Sequence, residues 1–94
     1  MANKKEAVLT ALEAKIGKRD TYGNWTFKGK YRTYRIKPQA TSLRFEEKWV
    51  FSDGTSQWHN ITMNRSHYYK DADIEKITKI ADRMKELSNT PEKD

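Results

Sequence analysis

The fold of this chain is decided by residues 42–60, which read SLRFEEKWVFSDGTSQWHN. One side of the alternation is apolar and the other is mostly charged: Leu43, Phe45, Trp49 and Phe51 against Arg44, Glu46, Lys48 and Val50. Successive side chains of a strand point to opposite faces, so this pattern predicts a long strand from Ser42 to Ser52. Glu47 is the exception, because it falls on the apolar side. We therefore expect an antiparallel sheet that is covered on one face and open to water on the other.

The pair Asp53-Gly54 that follows this strand is a strong hairpin signal. A two-residue turn at this pair would place Trp49 opposite Trp58 and Lys48 opposite His59. In that register all the tryptophans of the chain point towards the covered face, and His59 points towards water.

The fourth strand is predicted from Thr55 to Met63. Its alternation is weak, because Ile61 and Met63 fall on the charged face, and this indicates a bulge or an edge position. An edge strand with exposed apolar side chains can pair with a second copy of the chain. A homodimer through this strand is therefore one expectation.

An earlier hairpin is predicted between Asn24 and Lys37, where the period is again two. With Gly29-Lys30 as a two-residue turn, Trp25 faces Tyr34. The apolar face then carries Trp25, Phe27, Tyr34 and Ile36, joined by Arg32, and the opposite face carries Thr26, Lys28, Tyr31, Thr33, Arg35 and Lys37. A three-residue turn would mix apolar with basic side chains, so the two-residue turn is the consistent choice.

An amphipathic helix is predicted before the strands, from Lys4 to Ile16, with Val8 and Leu12 on its apolar stripe. Gly17 suits the left-handed position that commonly follows a helix. Asn3 is the expected N-cap.

A second amphipathic helix follows the strands. Its apolar residues recur at spacings of three and four: Ile74, Ile77, Ile80, Ala81, Met84 and Leu87. Asp71 is the expected N-cap, with acids in the first turn where the helix dipole favours them. The helix should end near Ser88 or Asn89, before Pro91.

The fold class that follows is α+β, in the order α-β-β-β-β-α, with a four-stranded antiparallel sheet and both helices packed on one face. With 94 residues the chain is long enough for one core. We expect a single domain over residues 1–89 and a disordered C-terminal tail over 90–94.

Composition indicates a cytoplasmic, soluble protein with no membrane partner. The chain has no Cys, as is usual for a small domain of a reducing compartment. The N-terminal segment is interrupted by charges and does not form a secretory signal. The longest uncharged runs are far shorter than the ~20 apolar residues of a membrane helix.

No enzyme, cofactor or metal site is expected. The sequence contains no Gly-rich phosphate loop, nucleophile elbow or Ser/His/Asp set, and neither His59 nor His67 has acids or Cys at ligand spacing. Glu46-x-Lys48 is similar to the acid-x-lysine element of restriction-type nucleases, but a suitably placed upstream acid is missing. We interpret Glu46 and Lys48 as a charge pair on one face of the sheet.

The positive charge of the chain is concentrated in its centre. Residues 21–70 contain nine Lys and Arg against three Asp and Glu, in a chain with a net charge of +6. A basic sheet face attracts phosphates, and planar groups among the cations can stack or hydrogen-bond. The candidate nucleic-acid-binding residues are Lys28, Tyr31, Arg35, Lys37, Arg44, Lys48 and His59. The expected mode is backbone or shape recognition, with DNA favoured over RNA.

Two other interpretations of the charge stay open. The basic face can serve solubility only, and Glu46 in the middle of the patch favours that. Alternatively, the chain is a protein-interaction factor, such as a phage-type or mobile-element inhibitor of a host protein. Such a factor would dock through its basic face or through a tyrosine loop with His67, Tyr68 and Tyr69 as candidate interface residues. The alternative for this loop is that one of its tyrosines anchors it against the second helix.

The element order resembles the sheet-reading DNA-binding domains at the N-termini of phage-type integrases, which lay strands into the major groove. The resemblance covers the hairpins and the C-terminal helix and carries no residue motif. The order is also similar to the double-stranded RNA-binding domain. The basic cluster which that family has at the start of its second helix is replaced here by Asp71, Asp73 and Glu75, which speaks against it.

Overall fold

The computed structural model describes residues 4–61 and 67–91 and has the predicted α+β architecture. Its elements are α1 (Lys4–Ile16), β1 (Trp25–Lys28), β2 (Thr33–Pro38), β3 (Ser42–Val50), β4 (Ser56–Asn60), β5 (His67–Tyr68), a single 3-10 turn (Tyr69–Asp71) and α2 (Ile74–Ser88). The strand order is β1-β2-β3-β4 with antiparallel pairing throughout this path. The short β5, which the sequence did not predict, pairs with the start of β3.

The core lies between the helices and one face of the sheet. It unites Val8, Leu9 and Leu12 of α1 and Ile77, Ala81 and Met84 of α2 with Trp25, Tyr34, Ile36, Leu43 and Phe45 of the strands. Each Val, Leu, Ile, Phe or Met side chain among them stabilises the fold by roughly 1.5–3 kcal/mol when fully buried. The prediction that both helices cover the same sheet face is confirmed.

The helix ends follow the sequence signals in part. Gly17 has a φ of 97°, and its amide donates to the carbonyl of Glu13 at 2.9 Å, which confirms the predicted end of α1. The N-cap of α2 is Asp73, whose carboxylate accepts from the amide of Lys76, so the prediction of Asp71 was wrong. Asp71 belongs to the 3-10 turn that precedes the cap. The expected N-cap Asn3 lies outside the described residues.

The chain after α2 stays attached to the helix for a short distance. Thr90 donates its amide to the carbonyl of Leu87 and its hydroxyl to that of Glu86. Residues 92–94 of the predicted tail lie outside the described residues, as does Met63 of the predicted fourth strand.

The first hairpin has a four-residue connection, residues 29–32, in place of the predicted two-residue turn. Trp25 consequently pairs with Ile36 and not with Tyr34. The reason is the carbonyl of Ser88 at the end of α2, which accepts the amides of Tyr31 at 3.0 Å and of Arg32 at 3.1 Å. The shift is two residues, so the two faces keep the side chains that were assigned to them.

The second hairpin has a three-residue turn, and its predicted register was wrong by one residue. The amide of Phe51 donates to the carbonyl of Thr55, and Gly54 occupies the left-handed region with a φ of 89°. Lys48 therefore pairs with Trp58. A one-residue shift exchanges the faces of a strand, so Trp58 lies on the face away from the helices and His59 on the face towards them.

Gly29 is required by close approach. A Cβ at this position would overlap the backbone carbonyl group of Ser88. We expect G29A to lower the free energy of unfolding by about 1–3 kcal/mol, as overpacking against backbone does. Urea denaturation of the purified variant measures this, with K30A at the neighbouring exposed residue as the control. An unfolding midpoint for G29A equal to that of K30A would contradict the account of this loop.

Candidate nucleic-acid interface

The face of the sheet that points away from the helices is called the outer face. Its residues on the four long strands are Thr26, Lys28, Thr33, Arg35, Lys37, Arg44, Glu46, Lys48, Val50, Ser56, Trp58 and Asn60. Five of these side chains are cationic and one is a carboxylate. The excess of positive charge predicted for this face is therefore present in the structure.

Glu46 lies at the centre of the outer face and is only 4% exposed. Its Oε1 accepts from both Nη2 and Nε of Arg35, at 2.6 and 2.8 Å, and its Oε2 lies 2.9 Å from Nε of Arg44. The contact of Oε2 with Arg44 is an ion pair that lacks hydrogen-bond geometry. The buried Nε of Arg44 accordingly has no hydrogen-bond partner among the described residues. The partners of Glu46 are thus two arginines. The sequence had suggested Lys48 as its partner.

The guanidinium group of Arg35 also contacts an aromatic ring. Its Cζ lies 4.0 Å from the ring centroid of Trp58, which is half-buried on β4. A guanidinium over an indole is a favourable cation–π arrangement. Glu46, Arg35 and Trp58 therefore form one connected group across β3, β2 and β4.

A groove of about 590 Å³ lies beside this group, where the segment before β1 passes over the sheet. Its lining residues are Asp20, Tyr22, Asn24, Thr26, Arg35, Lys37 and Trp58. Volumes of ~300–1,000 Å³ are typical of small-molecule sites. The groove joins aromatic, cationic and amide groups in one place on the outer face.

The candidate residues from the sequence are distributed unevenly over the structure. Lys28, Lys37 and Lys48 are exposed cations of the outer face. Arg35 and Arg44 lie on that face as the partners of the buried Glu46, and 42% of the Arg44 side chain is still exposed.

The two planar candidates differ in position: Tyr31 lines a groove with Lys48, and His59 lies on the other face of the sheet. Tyr31 is an exposed residue of the loop between β1 and β2, with the Lys30 ammonium 5.5 Å from its ring centroid. His59 was placed on the wrong face, because the hairpin register differs by one residue. Its ring stacks on Trp49 at 3.8 Å on the helix-facing side, and its Nε2 is buried without a hydrogen-bond partner among the described groups.

The tyrosine loop splits into a structural part and an exposed part. Tyr69 is buried, its hydroxyl donates to the carbonyl of Gln39 at 2.9 Å, and burial raises its pKa. Tyr69 is therefore the tyrosine that anchors the loop, and it is not accessible as an interface residue. His67 packs its ring edge-on against Phe45 at 4.9 Å, and Tyr68 is exposed.

The helix-facing side of the sheet carries a polar group at its rim. Tyr34 is buried there, and its pKa is raised first by that burial and then by the negative charge of Glu47. Arg32 hydrogen-bonds the Tyr34 side chain and acts in the opposite direction. Glu47, the exception to the alternation in the sequence, is thus next to a buried hydroxyl and not within the apolar core.

Two aromatic residues beside the cations, Trp58 and Tyr22, were not among the predicted site residues. Trp58 was assigned to the core through the hairpin register, and Tyr22 was not considered. The alternation of the fourth strand could not decide the position of Trp58, because a one-residue shift that moves Ile61 to the apolar face moves Trp58 to the charged face. For Tyr22 the sequence offered no periodic signal, because it lies outside the strands.

The described parts of the chain contain no cluster of three His, Cys, Asp or Glu residues that could hold a metal ion. Within the same residues, neither helix has the length and apolar character needed to cross a membrane. Comparison with protein-family models, curated proteins and solved structures finds no match to this chain.

Removing the carboxylate at the centre of the outer face tests its structural role. We expect E46Q to lower the free energy of unfolding by about 1–3 kcal/mol, because two arginines lose their charged acceptor and Arg35 is largely buried. The control is E86Q, which removes a carboxylate from an exposed pair with Arg83 and should change stability by less than ~1 kcal/mol. Equal unfolding midpoints for the two variants in urea would contradict a stabilising role for Glu46.

Proposed function

We propose that the protein binds nucleic acid through the outer face of its sheet, without catalysing a reaction. The observation that carries this proposal is the charge of that face: five cationic side chains against the single carboxylate Glu46. A flat surface with such an excess produces a positive potential that attracts the phosphates of a nucleic-acid backbone.

Burial of Glu46 favours a role for the face beyond solubility. On a face that serves solubility only, a carboxylate among scattered cations would remain exposed to water. The carboxylate of Glu46 is instead enclosed by Arg35 and Arg44. The pairing fixes the two guanidinium groups in position and compensates only one of the five charges. The lysines around them remain available to an incoming phosphate.

The lysines set the type of recognition that is proposed. Lys28, Lys37 and Lys48 lie on three different strands, so an anionic backbone that contacts them would cross the sheet. Lysine ammonium groups act as mobile point charges and carry no base information. Backbone recognition is therefore the proposed mode, with DNA as the favoured partner.

A host protein is the second candidate partner. The observation that favours it is the exposure of large apolar side chains at the end of β3, with Trp49 on the helix-facing side, Val50 on the outer face and Phe51 after them. Exposed large apolar side chains that lie near one another commonly mark protein interfaces. Capture from lysate with and without nuclease separates the two candidates, since partners retained after nuclease treatment favour the protein and partners lost favour nucleic acid.

Neutralising the outer face tests the proposed function. We expect the variant K28Q/K37Q/K48Q to bind a 20-nucleotide DNA strand and the corresponding duplex more weakly than the unaltered protein does. The slope of log K against log salt should decrease in magnitude by about 2–3, because each lost phosphate contact removes ~0.9 for duplex DNA. Fluorescence anisotropy at several salt concentrations measures both quantities.

The matched control is K76Q/K79Q/K85Q, which removes the same number of charges from exposed positions of α2. It should leave the salt slope unchanged, because α2 lies on the opposite side of the sheet. Equal slopes for the two triple variants, or no binding by the unaltered protein, would rule out the proposed interface.

A further inference from the structure

Tyr22 is 87% exposed although the backbone that carries it is well ordered by hydrogen bonds. The Asp20 carboxylate accepts the amides of Tyr22 at 2.9 Å and Asn24 at 3.0 Å, and the Asp20 amide donates to the carbonyl of Asn24. Gly23 completes this turn with a φ of 83°. The aromatic ring is therefore presented to solvent by a fixed turn, and such preorganisation lowers the entropy that binding costs.

Trp58 lines the same groove. Its indole lies against the guanidinium of Arg35, and Arg35 is held in place by Glu46. Indole rings and guanidinium planes are the surfaces on which unpaired bases stack in single-strand-binding proteins. The groove is thus lined by a supported stacking surface and by an exposed tyrosine.

The polar groups of the groove suit the edge of a base better than a phosphate. The Asp20 carboxylate would repel a phosphate, but it can accept from an N–H group on the edge of a base, such as an exocyclic amine or the N3–H of thymine. Asn24 and Thr26 add groups that donate and accept hydrogen bonds. Lys37 provides the cation for the phosphate that follows the base.

From this arrangement we propose that the groove between Tyr22 and Trp58 binds an unpaired base, so that the protein prefers single-stranded nucleic acid to duplex. The inference rests on the proposed function, since it assigns a base site to the same outer face. A base in a duplex is stacked on both sides and cannot enter the groove, whereas a base of a single strand presents its ring face.

The test compares a fluorescein-labelled strand of fifteen thymidines with a blunt-ended DNA hairpin that has the same number of phosphates and a polyethylene-glycol linker in place of loop bases, by anisotropy at one salt concentration. The unaltered protein should bind the single strand more tightly. W58A should weaken single-strand binding by about 5- to 100-fold, the effect of losing one stacking ring, with a much smaller loss of hairpin binding. Y22A should act in the same direction, and it cannot act through the core because Tyr22 is exposed.

The matched control is W49A, which removes an exposed tryptophan from the helix-facing side and should change neither affinity. Normal binding of both DNAs by W58A and Y22A, or an equal loss for both DNAs, would overturn the base site and leave the proposed function standing. Absence of binding to either DNA by the unaltered protein would overturn the proposed function and the base site together.

Discussion

The outer face depends on the buried carboxylate of Glu46. A carboxylate that is 4% exposed requires cationic partners, because desolvating a charge without compensation is costly. Arg35 and Arg44 supply them from the strand next to β3 and from β3 itself. Their positions are consequently fixed, and Arg35 in turn supports the ring of Trp58. Composition describes this face only as basic. Because these contacts fix its side chains, it is an ordered surface with an aromatic group beside its cations.

The segment around the first hairpin shows how tertiary contacts change a turn without changing the faces. The sequence predicted a two-residue turn at Gly29-Lys30, and it could not show that the end of α2 would supply a carbonyl, from Ser88, to two amides of this loop. Because the resulting shift is even, Trp25, Tyr34 and Ile36 still lie in the core. The helices and the covered faces of β1, β2 and β3 were therefore predictable from periodicity.

The second hairpin shows the opposite case, in which one residue decides the site. The Asp-Gly signal is compatible with a two-residue or a three-residue turn, and here Gly54 takes the left-handed position that closes the longer one. The odd shift exchanges Trp58 and His59 between the faces. Periodicity predicted which cations lie on the outer face. The aromatic group of that face depended on the length of the turn and on a contact between strands that are distant in the sequence. Local sequence encodes neither.

The proposed interface combines two kinds of contact with separate physical roles. Exposed lysines on three strands provide attraction that salt weakens, and the groove beside Tyr22 and Trp58 provides contacts that depend on an exposed ring face. Their arrangement can be mapped directly with the ¹⁵N-labelled protein, by following amide and indole NMR signals during titration with a single strand of DNA. The account predicts shifts for the strand residues of the outer face and for the Trp58 indole, with little change in α2 or at the Trp49 indole. Shifts concentrated on α2 or on residues 49–51, with the Trp58 indole unmoved, would contradict it.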